Sequence, residues 1–144
     1  MLMKVIDAEN AVLGRLSTYV AKEVLKGEEI RIVNAEKAIV TGTDKKSILE
    51  RYKHKMNLRN IANPRKSPKF SRRPDILVRK TVWGMLPHNK RGREAYKRVK
   101  VYLKVPKELE KSEKKKIAQF KEKERKVRKM TVLEICKELG WRPA

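Results

Sequence analysis

The sequence predicts an α/β fold, because strands and helices alternate over the first fifty residues. Short runs of β-branched residues predict strands at 5–6, 30–33 and 38–40. A helix is predicted between the first two runs, since apolar residues recur there at helical spacing: Leu13, Leu16, Val20 and Val24. Strands that alternate with helices are typical of a parallel sheet covered on both faces. We expect this sheet to be the scaffold of the protein.

The ends of these elements are marked by residues that favour caps and turns. Asn10 is the predicted N-cap of the first helix, and Gly27 is its predicted end. A second helix is expected to start after Thr43 or Asp44 and to continue through Tyr52. These signals place the helix boundaries without defining any chemistry.

The first junction between a strand and a helix is a candidate nucleotide site, because α/β folds often bind nucleotides at helix N-termini. Gly14 stands there alone, without the glycine spacing of a dinucleotide-binding or phosphate-binding loop. We interpret Gly14 as a packing or turn residue. Asp7 is interpreted as a turn residue at the end of the first strand rather than as a catalytic carboxylate.

Positive charge is concentrated in the middle of the chain. Residues 1–50 are neutral, whereas residues 51–104 hold 18 Lys and Arg against only Asp75 and Glu94. This balance of +16 is most of the net charge of +22. Like charges at this density destabilise a compact chain unless a polyanion neutralises them. Nucleic-acid phosphates are the commonest such polyanion, so the block predicts a nucleic-acid partner.

Residues 51–73 are predicted to form a basic arm. Hydrophobic periodicity fades in this stretch, and Asn and Pro residues, among them Pro64 and Pro68, interrupt the cations. Two interpretations compete: a solvated charged loop, or an arm that lies along nucleic-acid phosphates. The absence of acidic residues favours the arm, which we expect to be mobile until a partner orders it.

A third helix is predicted to begin at Pro74, which suits a first helical turn, with Asp75 close to the positive helix end. Gly84, which can adopt a positive φ, and Pro87 are expected to end it. A short helix around Tyr96 and a strand at 99–103 follow. Three apolar residues at the end of the third helix are interpreted as core rather than base-stacking residues: Trp83, Met85 and Leu86.

Composition limits the classes of function. The single Cys136 excludes an internal disulfide and a cysteine-based zinc cluster, and it favours a reducing compartment. His54 and His88 lie among cations without ligand spacing, so we interpret them as polar or phosphate contacts. No apolar run approaches the ~20 residues that a membrane helix needs, and the N-terminus is too quickly polar for a secretory signal. We expect a cytoplasmic protein without a cofactor, a metal or a small-molecule substrate.

The C-terminal region is predicted to be helical. Charges of alternating sign over residues 107–128 predict a long exposed helix supported by weak ion pairs. Thr131 and Glu134 fit a capping box at the start of a short amphipathic helix that ends at Gly140. Cys136 lies on the apolar side of that helix and is interpreted as a core residue, not a nucleophile. We expect the short helix to pack on the sheet or on a neighbouring protein.

Several segments resemble a known family. The run Gly-Met-Leu-Pro-His-Asn-Lys-Arg-Gly at 84–92, followed by Val-Lys-Val-Tyr at 99–102, is similar to the signature of the thirteenth large-subunit ribosomal protein, a family found in all domains of life. Other segments agree with the same family in its order: 7–22, 33–42 and 73–75. The resemblance spans roughly residues 4–106.

The resemblance implies a three-layer α/β/α fold around a four-stranded, mainly parallel sheet. Residues 1–106 would form this domain, with the arm at 51–73 within it, and residues 107–144 a charged helical extension. The family further implies rRNA binding in the large subunit, neighbouring ribosomal proteins as partners, a role in subunit assembly, and no catalysis. The short connection after Gly27 and the ending at 139–141 are similar to the archaeal and eukaryotic forms, and an archaeal type is expected.

The candidate RNA-binding residues are cations of the arm and of the segment after it. Arginine can bridge two phosphates or stack on a base, whereas lysine acts as a point charge. Folded RNA is recognised mainly through phosphates, 2′-hydroxyls and shape. The candidates are Lys53, Lys55, Arg59, Arg65, Lys66, Lys69, Arg72, Arg73, Arg79, Lys80, His88, Lys90, Arg91, Arg93, Lys97 and Arg98.

Two alternatives stay open at the level of sequence. An RNA-modifying enzyme would need a cofactor loop or paired acids beside the basic block, which offers only Asp75 and Glu94. A DNA-compacting protein would bind duplex DNA at least as well as folded rRNA.

Overall fold

A four-stranded parallel sheet lies at the centre of the molecule, which the computed structural model describes over residues 3–115 and 128–143. In these ranges the strands are β1 (Met3–Asp7), β2 (Glu29–Val33), β3 (Ile39–Gly42), β4 (Val99–Val101), β5 (Lys114–Lys115) and β6 (Arg128–Thr131). The helices are α1 (Leu13–Leu25), α2 (Lys45–Asn57), α3 (Pro74–Gly84), α4 (Lys90–Lys97) and α5 (Val132–Glu138). The predicted α/β class and the four-stranded parallel sheet are confirmed.

The two longest strands occupy the middle of the sheet, whose order is β4-β2-β1-β5. β1 and β2 pair in parallel from Met3 opposite Glu29 to Asp7 opposite Val33. β4 lies beyond β2, and β5 lies beyond β1. The carboxyl ends of β1 and β2 therefore meet at one edge of the sheet, where their polar residues come together.

Alternate residues of β1 face two different cores. Ile6 belongs to the main core, which contains Leu16 of α1 and Val82 of α3. Val5 packs on the other side with Leu109, which lies in a 3-10 turn. Because successive strand residues point to opposite faces, the sheet is covered on both faces, as the sequence predicted.

The predicted strand at 38–40 forms outside the parallel sheet. β3 pairs antiparallel with β6 in a separate two-stranded sheet, with Ile39 opposite Thr131. The fourth strand of the parallel sheet is instead β5, which consists of two lysines. So short a polar strand has no hydrophobic alternation from which it could be predicted.

The start of α1 differs from the prediction. Asn10 does not cap α1: it adopts a left-handed φ of 57°, and the residue before the helix is Val12, without a side-chain cap. Asn tolerates this conformation better than most residues. α3 ends at Gly84, as predicted, although Gly84 does not adopt a positive φ. Gly27 does adopt one, at 102°, where α1 was predicted to end.

The long helix predicted over residues 107–128 is not present where the structure describes that range. Residues 107–109 form a 3-10 turn and residues 114–115 form β5, while residues 116–127 lie outside the described part. The burial of Leu109 against the sheet outweighs the small energy of helical ion pairs, worth roughly 0.2–0.5 kcal/mol each.

The short C-terminal helix is confirmed as α5. Thr131 Oγ1 accepts a hydrogen bond from the Glu134 amide at 3.2 Å, and the Glu134 carboxylate accepts one from the Thr131 amide at 3.3 Å, which completes the predicted capping box. Val132 and Cys136 are fully buried in the main core. The predicted packing of this helix on the sheet domain and the core interpretation of Cys136 are thus confirmed.

Candidate nucleic-acid interface

The candidate cations lie on α2, α3 and α4 and on the segments that follow these helices. We call the sixteen residues of the candidate list the basic surface. All are exposed except Arg79 and Arg98, which are partly buried. Arg73 alone pairs with a carboxylate of the described residues: its guanidinium nitrogen lies 2.8 Å from an Asp75 oxygen. The rest of the basic surface has no acidic partner within 3–115 and 128–143.

The predicted arm is partly helical. α2 continues to Asn57, so residues 51–57 belong to a helix and Lys53 and Lys55 project from its last turns. Beyond α2, residues 58–73 contain only a 3-10 turn at Pro64–Lys66. The prediction of an irregular arm over all of 51–73 is therefore wrong for its first third, because the helix that starts after Asp44 extends past its last buried residue.

The end of the arm is attached to α3 through Lys80. Its ammonium donates a hydrogen bond to the Lys69 carbonyl oxygen at 2.5 Å and lies 4.4 Å from the centre of the Phe70 ring. A cation over an aromatic face is attractive, by about 0.5–1 kcal/mol at an exposed site. Lys80 thus stabilises the conformation of the arm and also adds to its positive charge.

The segment 84–92 connects α3 to α4 through an unusually close backbone approach. A Cβ on Gly92 would lie 1.7 Å from the Pro87 carbonyl oxygen, so only glycine fits. The Asn89 side chain accepts a hydrogen bond from the Gly92 amide at 3.0 Å and caps α4. The Pro-His-Asn-Lys-Arg-Gly spacing therefore sets where α4 begins and which cations its first turn presents.

The apolar residues of this segment differ in burial. Leu86 is 3% exposed and belongs to the main core, as predicted, whereas Met85 is 41% exposed and the core prediction is wrong for it. Trp83 is half-buried: it packs against the main core, and its ring stacks on His88 at 4.8 Å between centroids. At the end of a helix, side chains on one side contact the core and those on the other side face solvent. The sequence pattern does not show which of these sides each residue occupies.

Two candidate arginines contact the end of α1. Arg98 donates a hydrogen bond to the Val24 carbonyl oxygen at 3.3 Å, and Arg91 donates one to the Leu25 carbonyl oxygen at 3.4 Å. Cations are favourable at the negative end of a helix. These two arginines consequently connect α4 to α1 and are held in a fixed direction.

Three aromatic residues lie among the cations of the basic surface. Phe70 follows Lys69 in the arm, while Trp83 and Tyr96 contact each other at 5.0 Å between ring centroids, and Arg79 lies 4.5 Å from the Tyr96 ring centre. Sequence reasoning did not single out Phe70 or Tyr96 for binding. Their adjacency to cations was the available signal, but nothing in the sequence shows that residues 70, 83 and 96 converge.

Other candidate centres have structural explanations. Asp7 accepts hydrogen bonds from the Asn34 side chain and the Glu9 amide, which confirms its role as a turn residue. Burial raises the pKa of the Cys136 thiol to about 12. Within the described ranges, no three His, Cys, Asp or Glu side chains are grouped to hold a metal ion. None of the helices described is long and apolar enough to cross a membrane.

The fold and the surface together define a basic α/β scaffold, whose family is shown by comparison with known proteins. Residues 2–108 match the family model for ribosomal protein L13. A protein of Methanocaldococcus jannaschii, named large ribosomal subunit protein uL13, is 49% identical over 96% of this chain and 98% of its own length. Proteins of the same name from Archaeoglobus fulgidus and Thermoplasma volcanium are 45% and 41% identical, each over 96% of this chain and over 88% and 98% of their own lengths.

The chain therefore belongs to the ribosomal protein L13 family. It is a structural, non-enzymatic constituent of the large ribosomal subunit in the cytoplasm. The resemblance inferred from residues 84–92 and 99–102 is confirmed, and the similarity to archaeal relatives agrees with the expected archaeal type.

Proposed function

We propose that this protein binds large-subunit rRNA through the basic surface and so supports the assembly and stability of the subunit. One observation supports this above all: among the described residues, only Arg73 of the basic surface pairs with a carboxylate. Elsewhere the chain does pair its cations: Lys4 and Lys26 both contact Glu23 at 2.7 Å, and Lys37 contacts Glu9 at 2.9 Å.

The proposed mechanism is neutralisation of phosphates by cations that several elements of the fold present together. α2 presents Lys53 and Lys55, and the part of the arm beyond α2 presents exposed Arg59, Arg65 and Lys66. α4 presents further cations. Each neutralised phosphate releases counterions, so affinity should fall steeply as salt rises. Folded RNA offers its phosphates in a fixed arrangement, which a rigid set of cations can match.

Neighbouring large-subunit proteins are the second proposed class of partner. Ile61 in the arm is 94% exposed and Leu58 is 41% exposed, so the tip of the arm offers apolar contact as well as charge. The division of the chain into a domain at 1–106 and an extension at 107–144 stays a prediction.

The proposal is tested by reversing the charge of three cations at two different places, so that both variants lose the same amount of positive charge. A triple variant in the arm, Arg65→Glu, Lys66→Glu and Lys69→Glu, should bind large-subunit rRNA more weakly. The plot of log affinity against log salt should also become less steep, by about 2–3 in slope. The matched control reverses three exposed lysines of α1 and α2: Lys22→Glu, Lys45→Glu and Lys46→Glu. Equal losses in the two variants, or an unchanged salt slope in the arm variant, would contradict binding through the arm.

Sedimentation separates the alternatives. Full-length protein should co-sediment with large subunits from cell extract at low salt and should prefer folded rRNA to duplex DNA of the same length. Equal or tighter binding to the duplex would favour a DNA-compacting protein.

A further inference from the structure

We propose that a groove between the arm and helices α3 and α4 receives an unstacked base of single-stranded RNA. This inference rests on the proposed rRNA binding and names one contact within it. The groove has a volume of about 610 Å³. Sites for drug-sized ligands are typically roughly 300–1,000 Å³, so it has room for a base with its sugar.

The walls of the groove are aromatic and apolar. Phe70 of the arm, Trp83 of α3 and Tyr96 of α4 all line it, together with Ile76, which is 38% exposed. A base needs a π-face or an apolar surface on which to stack, and such stacking contributes about 1–3 kcal/mol per base. Since every base has a π-face, this mode of binding does not require a particular sequence.

The aromatic side chains are held in place by neighbours that leave part of their surface in the groove. Trp83 stacks on His88 at 4.8 Å with 10° between ring planes, and it meets Tyr96 at an angle of 53°. Lys80 lies 4.4 Å from the Phe70 ring centre and also holds the Lys69 carbonyl. The groove is therefore formed before a ligand arrives, which reduces the entropy lost on binding.

The rim of the groove is cationic. Lys69, Lys80, Arg93 and Lys97 line it, and none of its described lining residues is acidic. A nucleotide in an RNA strand has the matching chemistry: its base has a flat π-face, and its sugar lies between two phosphates. An apolar side chain of a protein partner would fill the interior but leave the cations without counter-charges. This charge complementarity favours a nucleotide as the occupant.

The groove continues towards α2, where a second cavity of about 290 Å³ adjoins it. The two cavities share Phe70, Ser71, Ile76 and Lys80. The second is also bordered by Tyr52 and Lys55 of α2. The two cavities between α4 and α2 thus carry both cations and apolar side chains. Such a surface fits a strand of RNA whose phosphates follow the cations.

The test uses the fluorescence of Trp83. The full-length chain with Trp141→Phe keeps Trp83 as its only tryptophan. It is titrated with an oligouridylate of about ten nucleotides and, separately, with inorganic polyphosphate of equal charge. Oligouridylate should quench Trp83 emission through stacking, whereas polyphosphate should bind without quenching. Equal quenching by both probes would overturn the inference.

Phe70→Leu in the same background removes a ring but keeps an apolar side chain. It should weaken oligouridylate binding by roughly 5- to 100-fold and leave polyphosphate binding unchanged. The matched control is Tyr102→Leu, which removes a ring beside the Val5 core and outside this groove. Equal affinities for oligouridylate in the two variants would overturn the inference.

A second measurement does not depend on any variant. Ultraviolet crosslinking of the unmodified protein in large subunits should attach RNA to peptides that contain Phe70, Trp83 or Tyr96. The inference would be overturned if these peptides crosslinked to a protein, or if RNA crosslinked only to peptides that contain none of the three aromatic residues. If both probes bind with strong salt dependence but without quenching, the groove inference fails and the proposed rRNA binding stands; if neither probe nor rRNA binds, the proposed function itself fails.

Discussion

The side-chain amide of Asn34 donates a hydrogen bond to the carboxylate of Asp7 at 2.9 Å, and this bond joins the carboxyl ends of the two central strands. Asp7 is the last residue of β1, and Asn34 directly follows β2. The same carboxylate accepts a hydrogen bond from the Glu9 amide at 3.0 Å, which shapes the turn that leads into α1. The pair thus sets the direction in which the chain leaves both strands.

Asn34 also holds a left-handed backbone, with φ of 54°, so two substitutions separate its roles. Asn34→Gly should lose only the hydrogen bond, worth about 0.5–1.5 kcal/mol. Asn34→Ala should lose the bond and also pay roughly 1–2 kcal/mol for the left-handed conformation. Urea unfolding of both variants measures the difference. Equal unfolding free energies would show that the backbone of this turn relaxes and that the left-handed strain is absent.

Gly92 should tolerate no larger residue. Gly92→Ala places a Cβ 1.7 Å from the Pro87 carbonyl oxygen, and a rigid backbone group must move to relieve the clash. We expect a loss of at least about 1–3 kcal/mol in unfolding free energy. Gly14→Ala is the matched control, because Gly14 is exposed within α1 and a Cβ there meets nothing within 4 Å. That change should stabilise the protein by about 0.5–1 kcal/mol, and destabilisation of similar size in both variants would refute the role of the close approach.

Glu23 should make stability depend on acidic pH. Its carboxylate accepts hydrogen bonds from Lys26 and Lys4, each at 2.7 Å, and these lower its pKa from 4.5 to about 2. The folded-state pKa lies below the unfolded one, so the stabilisation is fully present above about pH 4.5 and is lost as the pH falls through 2. Glu23→Gln should therefore destabilise the protein at pH 7 and approach the parent near pH 2.

The control for that experiment is Glu94→Gln. Glu94 is exposed on α4, and its carboxylate has no ion pair among the described residues. Thermal unfolding of the parent and both variants at pH 7, 4 and 2 measures the effect. A gap between the parent and Glu23→Gln that stays constant from pH 7 to pH 2 would show that the Lys4–Glu23–Lys26 contacts do not contribute through charge.

Cys136 should be inert in the folded protein. Its side chain is 0% exposed, and burial raises the pKa of the thiol to about 12. The thiolate is the reactive form, so an aromatic disulfide reagent at pH 8 should react with the native chain only as fast as it unfolds. In guanidinium chloride the single thiol should react completely within the dead time of a manual assay. Fast reaction of the native protein would place Cys136 at the surface instead of in the main core.

The sequence was informative where a pattern has one physical meaning. The apolar spacing of Leu13, Leu16, Val20 and Val24 is specific for the buried face of a helix, and α1 buries all four. The capping box at Thr131 and Glu134 is equally specific, because two short-range hydrogen bonds define it. Gly27 marks the end of α1 because only a residue tolerant of positive φ fits there.

Long-range pairing was beyond the reach of these patterns. Nothing in the composition of β3 shows that it pairs with β6, ninety residues away in the chain, rather than with β1 or β2. β5 joins the sheet through backbone hydrogen bonds, which its two lysine side chains do not predict. The same limit applies to the candidate site: the charge of the basic surface is visible in the sequence, but the convergence of Phe70, Trp83 and Tyr96 depends on how α3, α4 and the arm pack.

The C-terminal helix should be required for the stability of the domain rather than being an appendage to it. Ile135 of α5 is 0% exposed and packs with Ile48 of α2 and with Met130 of β6. Ile135→Ala leaves a cavity among these side chains and should cost about 2–5 kcal/mol. Lys137→Ala, on the exposed side of the same helix, should change stability by less than about 0.5 kcal/mol.

Urea unfolding monitored by far-ultraviolet circular dichroism measures both variants. Because α2 carries Lys53 and Lys55, the loss at Ile135 should also weaken rRNA binding at temperatures close to the unfolding midpoint. Removal of residues 130–144 is the stronger form of the same experiment, since it also takes Val132 and Cys136 out of the main core. A truncated chain with the melting temperature of the parent and normal incorporation into large subunits would show that the domain does not need α5.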